Sequence, residues 1–182
     1  FGNLGNILDF DTLTKENIYV LNSPILSNSQ FNKFINFFGK NSLSIDCTFS
    51  NDENLTIAIK RIQKEAEIAV RQGATQLILS DKGISSKKIP MPMLLCVGAI
   101  NTFLIDKKLR GYVSINVQSG EALDTHSFAT LIGVGATTIN PYLAFDSLFQ
   151  RYEKKLFDQY GFDECVLRYI KSVNSGLLKI MS

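Results

Sequence analysis

The side chains best placed to do chemistry lie where predicted parallel strands end and turns begin. In a parallel α/β sheet the carboxyl ends of the strands meet at one edge, where functional groups usually collect. Two carboxylates, a hydroxyl, an amide, a phenol and the single histidine of the chain occupy or follow such positions. The candidate site is this strand-end cluster: Asp81, Ser119, Glu121, His126, Asn140 and Tyr142.

The two carboxylates of this cluster, Asp81 and Glu121, have the residue types of a general acid–base pair. That chemistry requires one carboxyl group to be desolvated, so that its pKa rises toward neutrality. The same residues also fit ordinary roles as turn and helix-cap residues, which need no further purpose. We therefore predict no catalytic residue in this chain.

Nucleophilic and metal chemistry find weaker support. Ser119, Asp124 and His126 can be drawn as a triad, but proximity in sequence is not triad geometry, and no GxSxG motif is present. One histidine and three scattered cysteines give no metal-ligand spacing. Residues 133–135 follow a predicted helix and precede a predicted strand, the reverse of a dinucleotide fingerprint. We predict no metal site and no cofactor site here.

The composition of the chain argues against a nucleic-acid-binding or membrane-spanning protein. The 182 residues are 45% hydrophobic and 20% charged with a net charge of +2, which is an ordinary globular balance without an electrostatic case for nucleic acid. No apolar run approaches the roughly 20 residues that span a bilayer. Three unpaired-looking cysteines favour a reducing compartment, cytoplasm or plastid. The first residue is not methionine, which predicts a piece of a longer protein.

Hydrophobic periodicity predicts alternating strands and helices. Strands are predicted over residues 43–49, 75–79, 112–117 and 136–139. Helices are predicted over residues 28–38, 51–72, 93–106, 125–133, 142–160 and 162–173, with a loop over 1–11 and a break at 174–176. Ser50 and Glu53 have capping-box spacing. The alternation predicts an α/β fold with a parallel sheet and flanking helices, as an open doubly wound sheet or a partial barrel.

Several segments resemble one known family. The main one is SGEALDTHSFATLIGVGATTINPYLAFDSL at residues 119–148. GNILDF at 5–10, NSPILSN at 22–28, LILSDKG at 77–83 and GLLKIMS at 176–182 extend it in the same order. Together they resemble the central domain of the large chain of glutamate synthase, and the resemblance covers nearly the whole chain.

This resemblance implies a place in glutamate biosynthesis and ammonia assimilation. The family enzyme, an oxidoreductase, makes two glutamates from glutamine, 2-oxoglutarate and two electrons. An amidotransferase domain releases ammonia, and a downstream FMN domain with an iron–sulfur cluster uses it. Residues 1–182 then correspond to the central domain, a rudimentary or partial relative of the FMN-binding TIM barrel, and 174–182 begin the link to the FMN domain.

By this resemblance the chain is a connector without catalysis or cofactor of its own, partnered by the amidotransferase and FMN domains of the same parent chain. The ferredoxin, NADH or NADPH dependence of that parent is left open. One departure is that His126 precedes Ser127 where the family commonly has two adjacent histidines. The alternative interpretation is a small stand-alone barrel-like enzyme or phosphate-binding module that acts through Asp81, Ser119 and Glu121.

Overall fold

The computed structural model describes residues 19–157 and 159–182, which build alternating strands and helices. The predicted loop over residues 1–11 lies outside this part of the chain. The strands are β1 (Ser42–Asp46), β2 (Thr48–Ser50), β3 (Gln76–Ser80), β4 (Lys88–Pro90), β5 (Ser114–Gln118) and β6 (Thr138–Asn140). The helices are α1 (Asn28–Phe38), α2 (Leu55–Arg71), α3 (Met93–Asp106), α4 (Thr125–Gly133), α5 (Tyr142–Glu153) and α6 (Phe162–Met181).

Four strands form one sheet in the order β1-β3-β5-β6, and every neighbouring pair is parallel. Leu77 of β3 lies opposite Leu43 of β1 and Ile115 of β5. Each strand lies beside the one before it without a reversal of order, as in a barrel and unlike a doubly wound sheet. The sheet is open across the described residues. The predicted α/β fold with a parallel sheet and flanking helices is therefore confirmed.

One face of the sheet is covered by the crossover helices α2, α3 and α4. Leu79, Val117 and Ile139 of the strands belong to the same buried cluster as Ile62 of α2 and Ile100 of α3. Helix α6 packs outside this layer against α4 and α5. No helix in the described ranges combines the length and apolar character needed to cross a membrane.

The opposite face of the sheet is covered by α1. Phe31, Phe34 and Phe38 of this helix are buried in one cluster with Ile78 of β3, as the aromatic spacing of residues 28–38 predicts. In a closed barrel this face would line the interior and would be filled by side chains from the remaining strands. Here a helix fills that space, which explains how four strands form a stable sheet without closure.

The two short strands β2 and β4 form a separate antiparallel ribbon beyond the carboxyl end of β1, called here the β2–β4 ribbon. Its edge is covered by Arg61 of α2. The Arg61 guanidinium donates to the carbonyls of Asp46, at 3.2 Å, and Thr48, at 2.7 Å. These carbonyls would otherwise stay available for pairing with another strand, so Arg61 blunts the edge.

The strand predicted over residues 43–49 is wrong in its continuity, because the chain leaves the sheet at Cys47. The Cys47 carbonyl accepts from Met91 N at 2.9 Å, so the residues that follow pair within the β2–β4 ribbon.

The capping box predicted at Ser50 and Glu53 is also wrong. Helix α2 begins at Leu55, where Asn54 Oδ1 accepts from Thr56 N at 2.8 Å. Asn54 thus satisfies a free N–H group of the first turn.

Two helix ends differ from the prediction. The helix predicted through residue 160 ends at Glu153, and Lys155 adopts a left-handed conformation with φ of 55°. The break predicted at residues 174–176 is absent, since α6 runs without interruption from Phe162 to Met181. Gly176 instead packs against Thr125 of α4, since a Cβ at this position would lie 2.6 Å from Thr125 Cγ2. A glycine there serves close packing between helices, not a hinge.

Candidate functional site

Asp81 lies at the centre of the strand-end cluster, directly after β3, and is almost fully buried. Its carboxylate accepts from Ser119 Oγ at 2.6 Å and from Gly120 N at 3.0 Å. The Tyr142 hydroxyl also donates to it. Three donors from the loops after β5 and β6 therefore converge on one carboxylate. The arrangement fixes both loops against β3.

Tyr142 opens α5 and is buried with its ring against Lys82, whose Nζ lies 5.0 Å from the ring centroid. Burial raises the pKa of Tyr142, and the hydrogen bond to Asp81 and the charges of Asp81 and Asp146 raise it further. The hydroxyl therefore stays protonated and remains a donor across the physiological range. Such a phenol is a hydrogen-bond anchor and not a general base.

Glu121 lies near Asp81 in sequence order of the strand ends but binds a different partner, the first turn of α3. Its Oε2 accepts from Met93 N at 2.9 Å, at the first residue of α3. Pro92 precedes that helix and gives it no side-chain cap, so Glu121 supplies the missing acceptor from 28 residues away. The acid–base pairing of Asp81 and Glu121 that the residue types allow therefore has no direct contact to support it, and Glu121 has the helix-cap role that the sequence also allows.

His126 lies in the first turn of α4 and is exposed. With Leu94 and Glu121 it lines a shallow hollow of about 270 Å³. Asp124 caps this helix by accepting from Ser127 N at 2.8 Å and Ser127 Oγ at 2.6 Å. These bonds lower the pKa of Asp124. The three residues that can be drawn as a triad do not form one, because Asp124 is bonded to Ser127 and Ser119 is bonded to Asp81.

Asn140 belongs to a second network on the face of the sheet covered by α1. Its Oδ1 accepts from Gln118 Nε2 at 3.1 Å, and its Nδ2 donates to Leu26 O at 3.0 Å and Asn28 Oδ1 at 2.9 Å. Ser80 Oγ donates to Gln118 at 3.1 Å and extends the row to β3. The row ties three strands to the start of α1. Of the predicted cluster, Asp81, Ser119 and Tyr142 meet directly, whereas Asn140 lies apart.

The sequence missed the contribution of Asp46, which ends β1 and holds the β2–β4 ribbon. Asp46 accepts from Thr48 N at 3.0 Å, Thr48 Oγ1 at 2.7 Å and Lys88 Nζ at 2.9 Å. Partial burial acts to raise its pKa, but the hydrogen bonds from Thr48 and Lys88 and the charge of Lys88 outweigh it and lower the pKa. The Asp-x-Thr spacing of an Asx turn is the signal that could have revealed this anchor.

This lowered pKa makes the ribbon sensitive to acid. A carboxyl group with a lowered folded pKa contributes stability above its unfolded value, and the contribution is lost as the pH falls through the folded pKa. Asp46→Asn should therefore lower the free energy of unfolding at pH 7, and the difference should shrink below the ordinary value of 3.8. Urea unfolding between pH 7 and pH 3 measures it. Asp52→Asn, in an exposed turn, is the control, and equal pH profiles would refute this role.

Cys47 and Cys96 are fully buried, and with Cys165 they are free thiols. The hydrogen bond between the side chains of Cys47 and Cys96, together with burial, raises the pKa of Cys47 well above its ordinary value. A thiol with a raised pKa is a poor nucleophile and a poor metal ligand. Within residues 19–157 and 159–182, no group of three or more His, Cys, Asp or Glu side chains is arranged to hold a metal ion.

Comparison with known proteins identifies the family. A family profile described as the glutamate synthase central domain matches residues 1–182. The glutamate synthase (NADPH) large chain of Azospirillum brasilense is 44% identical, over 100% of this chain and 12% of that relative. The (NADPH) large chain of Bacillus subtilis (strain 168) is 44% identical, over 89% of this chain and 11% of its own length.

A more distant relative is the ferredoxin-dependent glutamate synthase of Pyropia yezoensis, which is 35% identical over 100% of this chain and 12% of that relative. The chain therefore spans only 11–12% of the length of these three curated relatives. The resemblance carried by residues 119–148 is confirmed by a match that extends over the complete sequence. This chain belongs to the glutamate synthase central domain family.

Proposed function

We propose that the chain is the non-catalytic connector of a glutamate synthase, an oxidoreductase that makes two glutamates from glutamine, 2-oxoglutarate and two electrons. In this proposal it holds an amidotransferase domain and an FMN-binding domain of the same parent chain in fixed positions. It also helps to enclose the route by which ammonia passes between them. Residues 174–182 begin the link toward the FMN domain.

The observation that carries this proposal is the engagement of the strand-end groups within the chain itself. Asp81 accepts three donors, and Glu121 caps α3. A catalytic carboxylate needs an oxygen atom that can reach a substrate proton. Asp81 and Glu121 instead accept hydrogen bonds from groups of the same domain. Their arrangement makes the loops rigid, as a connector requires.

The same engagement bears on the cofactors of the family enzyme. Binding of the FMN phosphate requires N–H groups or hydroxyls that are free to donate hydrogen bonds. At these strand ends, Gly120 N and Ser119 Oγ donate to Asp81, and Met93 N donates to Glu121. An iron–sulfur cluster needs several converging thiolates, whereas Cys47 and Cys96 are buried in the core and Cys165 is on α6. Among residues 19–157 and 159–182 these groups fit neither cofactor, and we propose that both belong to the downstream domain.

The lengths of the relatives also support a connecting role. The chain covers 12% of the Azospirillum brasilense large chain, so most of such a protein lies outside this domain. A domain whose Asp81 and Glu121 carboxylates bind groups of the same domain, inside a chain of that length, is best explained by its effect on its neighbours. The stand-alone alternative, a small enzyme or phosphate-binding module using Asp81, Ser119 and Glu121, gains no support from these contacts.

Coupling between the two half-reactions tests the proposal. In the full-length parent chain, Gly120→Ala should disturb the contact between the loop after β5 and the start of α5, because the added Cβ lies 2.5 Å from Leu143 Cδ1, 3.0 Å from Leu143 Cγ and 3.2 Å from the Tyr142 hydroxyl. We expect glutamine hydrolysis and ammonium-dependent glutamate formation each to persist, while more glutamine is hydrolysed per glutamate formed from 2-oxoglutarate. Gly133→Ala, whose Cβ meets nothing within 4 Å, is the matched control.

Loss of both half-reactions in Gly120→Ala, with the fold intact, would assign catalysis to this domain and overturn the connector proposal. A second arm uses the 182-residue chain by itself. It should be colourless, show no glutaminase activity and gain no thermal stability from FMN or phosphosugars. Flavin absorbance after purification, or a thermal shift of several degrees with either ligand, would favour the stand-alone alternative.

A further inference from the structure

We propose that two copies of the chain join through β1, which forms one edge of the parallel sheet. In this dimer the two β1 strands run antiparallel, with Ser44 of one copy opposite Ser44 of the other. The two sheets then become one continuous sheet across a two-fold axis. This pairing does not depend on the connector role, because it concerns how two copies meet and not what lies between the half-reactions.

The two edges of the sheet differ in their hydrogen bonding. At the β6 edge, residues 24–26 run parallel to the strand: Leu26 N donates to Ile139 O at 2.9 Å, and Ile139 N donates to Pro24 O at 2.8 Å. At the opposite edge, no strand of the described part of the chain pairs with the outer side of β1. An open edge strand presents main-chain groups that can pair with another strand.

The bonds between β1 and its neighbourhood show which main-chain groups point outward. Asn41 O accepts from Thr75 N at 2.9 Å, and Cys47 N donates to Ser80 O at 2.8 Å. The odd-numbered residues of this segment therefore face β3. Because successive residues of a strand direct their N–H and C=O groups to opposite sides, residues 42, 44 and 46 direct theirs away from the sheet.

Two of these outward groups already have a partner. Ser42 N donates to Gly39 O, and Asp46 O accepts from the Arg61 guanidinium at 3.2 Å. Among the described residues, no main-chain group pairs with Ser42 O, Asp46 N or either main-chain group of Ser44, which is exposed. The available groups are therefore two donors and two acceptors, arranged symmetrically about Ser44.

An antiparallel pair centred on Ser44 uses all four available groups. Directly opposed residues in such a ladder exchange two hydrogen bonds, and so do the residues two positions further along. Ser44 of each copy exchanges both bonds with Ser44 of the other, and Asp46 N donates to Ser42 O of the other copy. The groups already bonded, Ser42 N and Asp46 O, face each other in this pairing. The edge is thus complementary to itself, which identifies a second copy as the occupant.

The side chains of β1 also fit this pairing. Leu43, which is 41% exposed, lies opposite Ile45 of the other copy at a position without main-chain bonds, where opposed side chains are closest. The pairing therefore buries apolar surface of Leu43. Asp46 lies opposite Ser42, so no like charges meet. Residues 42–46 contain no lysine or proline, the residues that commonly prevent pairing at a sheet edge.

A cysteine cross-link in the full-length parent chain tests the predicted register. Opposed residues of a hydrogen-bonded antiparallel pair have Cα atoms about 5.5 Å apart, within the range that a disulfide bridges. Oxidised glutathione should therefore join two Ser44→Cys chains covalently, and peptide mapping should show residue 44 linked to residue 44. Ser172→Cys, exposed on α6, is the control. If Ser44→Cys yields no more covalent dimer than Ser172→Cys, the proposal is wrong.

Sedimentation equilibrium of the parent chain tests the contact without a cross-link. Leu43→Lys should raise the dissociation constant of the dimer at least tenfold relative to Leu178→Lys, a lysine placed at an exposed position of α6. Ser44→Pro removes the central N–H group, at an edge position where a strand tolerates proline, and should have the same effect. Equal dissociation constants in Leu43→Lys and Leu178→Lys would refute the pairing.

A monomeric parent chain would also refute it, and hydrogen exchange at the Ser44 amide would then identify the reason. Slow exchange in the monomer would show that another segment of the parent chain pairs with β1. Fast exchange would show that the edge stays open. Either result leaves the connector proposal standing, because that proposal depends on the contacts of Asp81 and Glu121 and is tested by coupling.

Discussion

Asp81→Ala is expected to destabilise the chain by about 2 to 4 kcal/mol, because it leaves buried donors without an acceptor. Ser119 Oγ and Gly120 N lose their partner, and so does the Tyr142 hydroxyl. Ser119 and Tyr142 are buried, so solvent replaces the lost bonds poorly. Urea unfolding followed by circular dichroism gives the free energy of unfolding.

Asp106→Ala is the control for this variant, since Asp106 ends α3 and is exposed. Its effect should stay within about 0.5 kcal/mol, as for most surface substitutions. Ser119→Ala should cost less than Asp81→Ala, because the acceptor remains and keeps its other two donors. If Asp81→Ala unfolds at the same urea concentration as the original chain, the carboxylate is not a structural anchor, and the case for a connector with rigid loops weakens with it.

The general layout of the fold follows from local sequence patterns. Helix α3 begins and ends where its apolar spacing predicts, at Met93 and Asp106. Asp124 caps α4, and Gly135 supplies the positive φ of 120° just after it. These features depend on residues within a few positions of one another. The parallel order of the strands then follows, because a strand, a covering helix and a second strand joined by short loops form a parallel unit.

Features that depend on distant partners were not predictable in the same way. The chain leaves the sheet at Cys47 because Met91 N donates to its carbonyl, and no local pattern marks that pairing. The position of α1 on the opposite face is similar: aromatic spacing predicts a buried stripe but not which side of the sheet it covers. The open sheet, as opposed to a closed barrel, follows from this position and not from the periodicity.

The candidate site was likewise predictable in its location but not in its hydrogen-bond partners. The rule that functional groups collect at strand ends brought Asp81, Ser119 and Tyr142 into one cluster, and these three residues do meet. Their roles depend on which donors face which acceptors, and sequence does not carry that information. Glu121 illustrates the point, since its partner Met93 is 28 residues away. Residue type favoured turn and capping roles for the carboxylates over acid–base chemistry, but it did not identify the groups that they bind.

Gly176→Ala is expected to destabilise the chain by about 1 to 3 kcal/mol, although alanine favours a helix over glycine. The added Cβ would lie 2.6 Å from both Cγ2 and Oγ1 of Thr125. Thr125 is β-branched and begins α4, so its side chain has few alternative rotamers. The two helices must therefore separate to accommodate one methyl group. A hinge at residues 174–176 would give the opposite sign, because alanine would then stabilise the extended helix.

Two further variants test whether the loss of stability in Gly176→Ala comes from the contact with Thr125. Gly98→Ala, inside α3 with nothing within 4 Å of the added Cβ, should raise the free energy of unfolding by about 0.5 to 1 kcal/mol. In the double variant Thr125→Ala with Gly176→Ala, the atoms at 2.6 Å are gone, so most of the loss should be recovered. Stabilisation by Gly176→Ala alone, equal to that of Gly98→Ala, would show that α4 and α6 do not pack at this point. The rescue, by contrast, would show that α6 packs on α4 through the contact between Gly176 and Thr125.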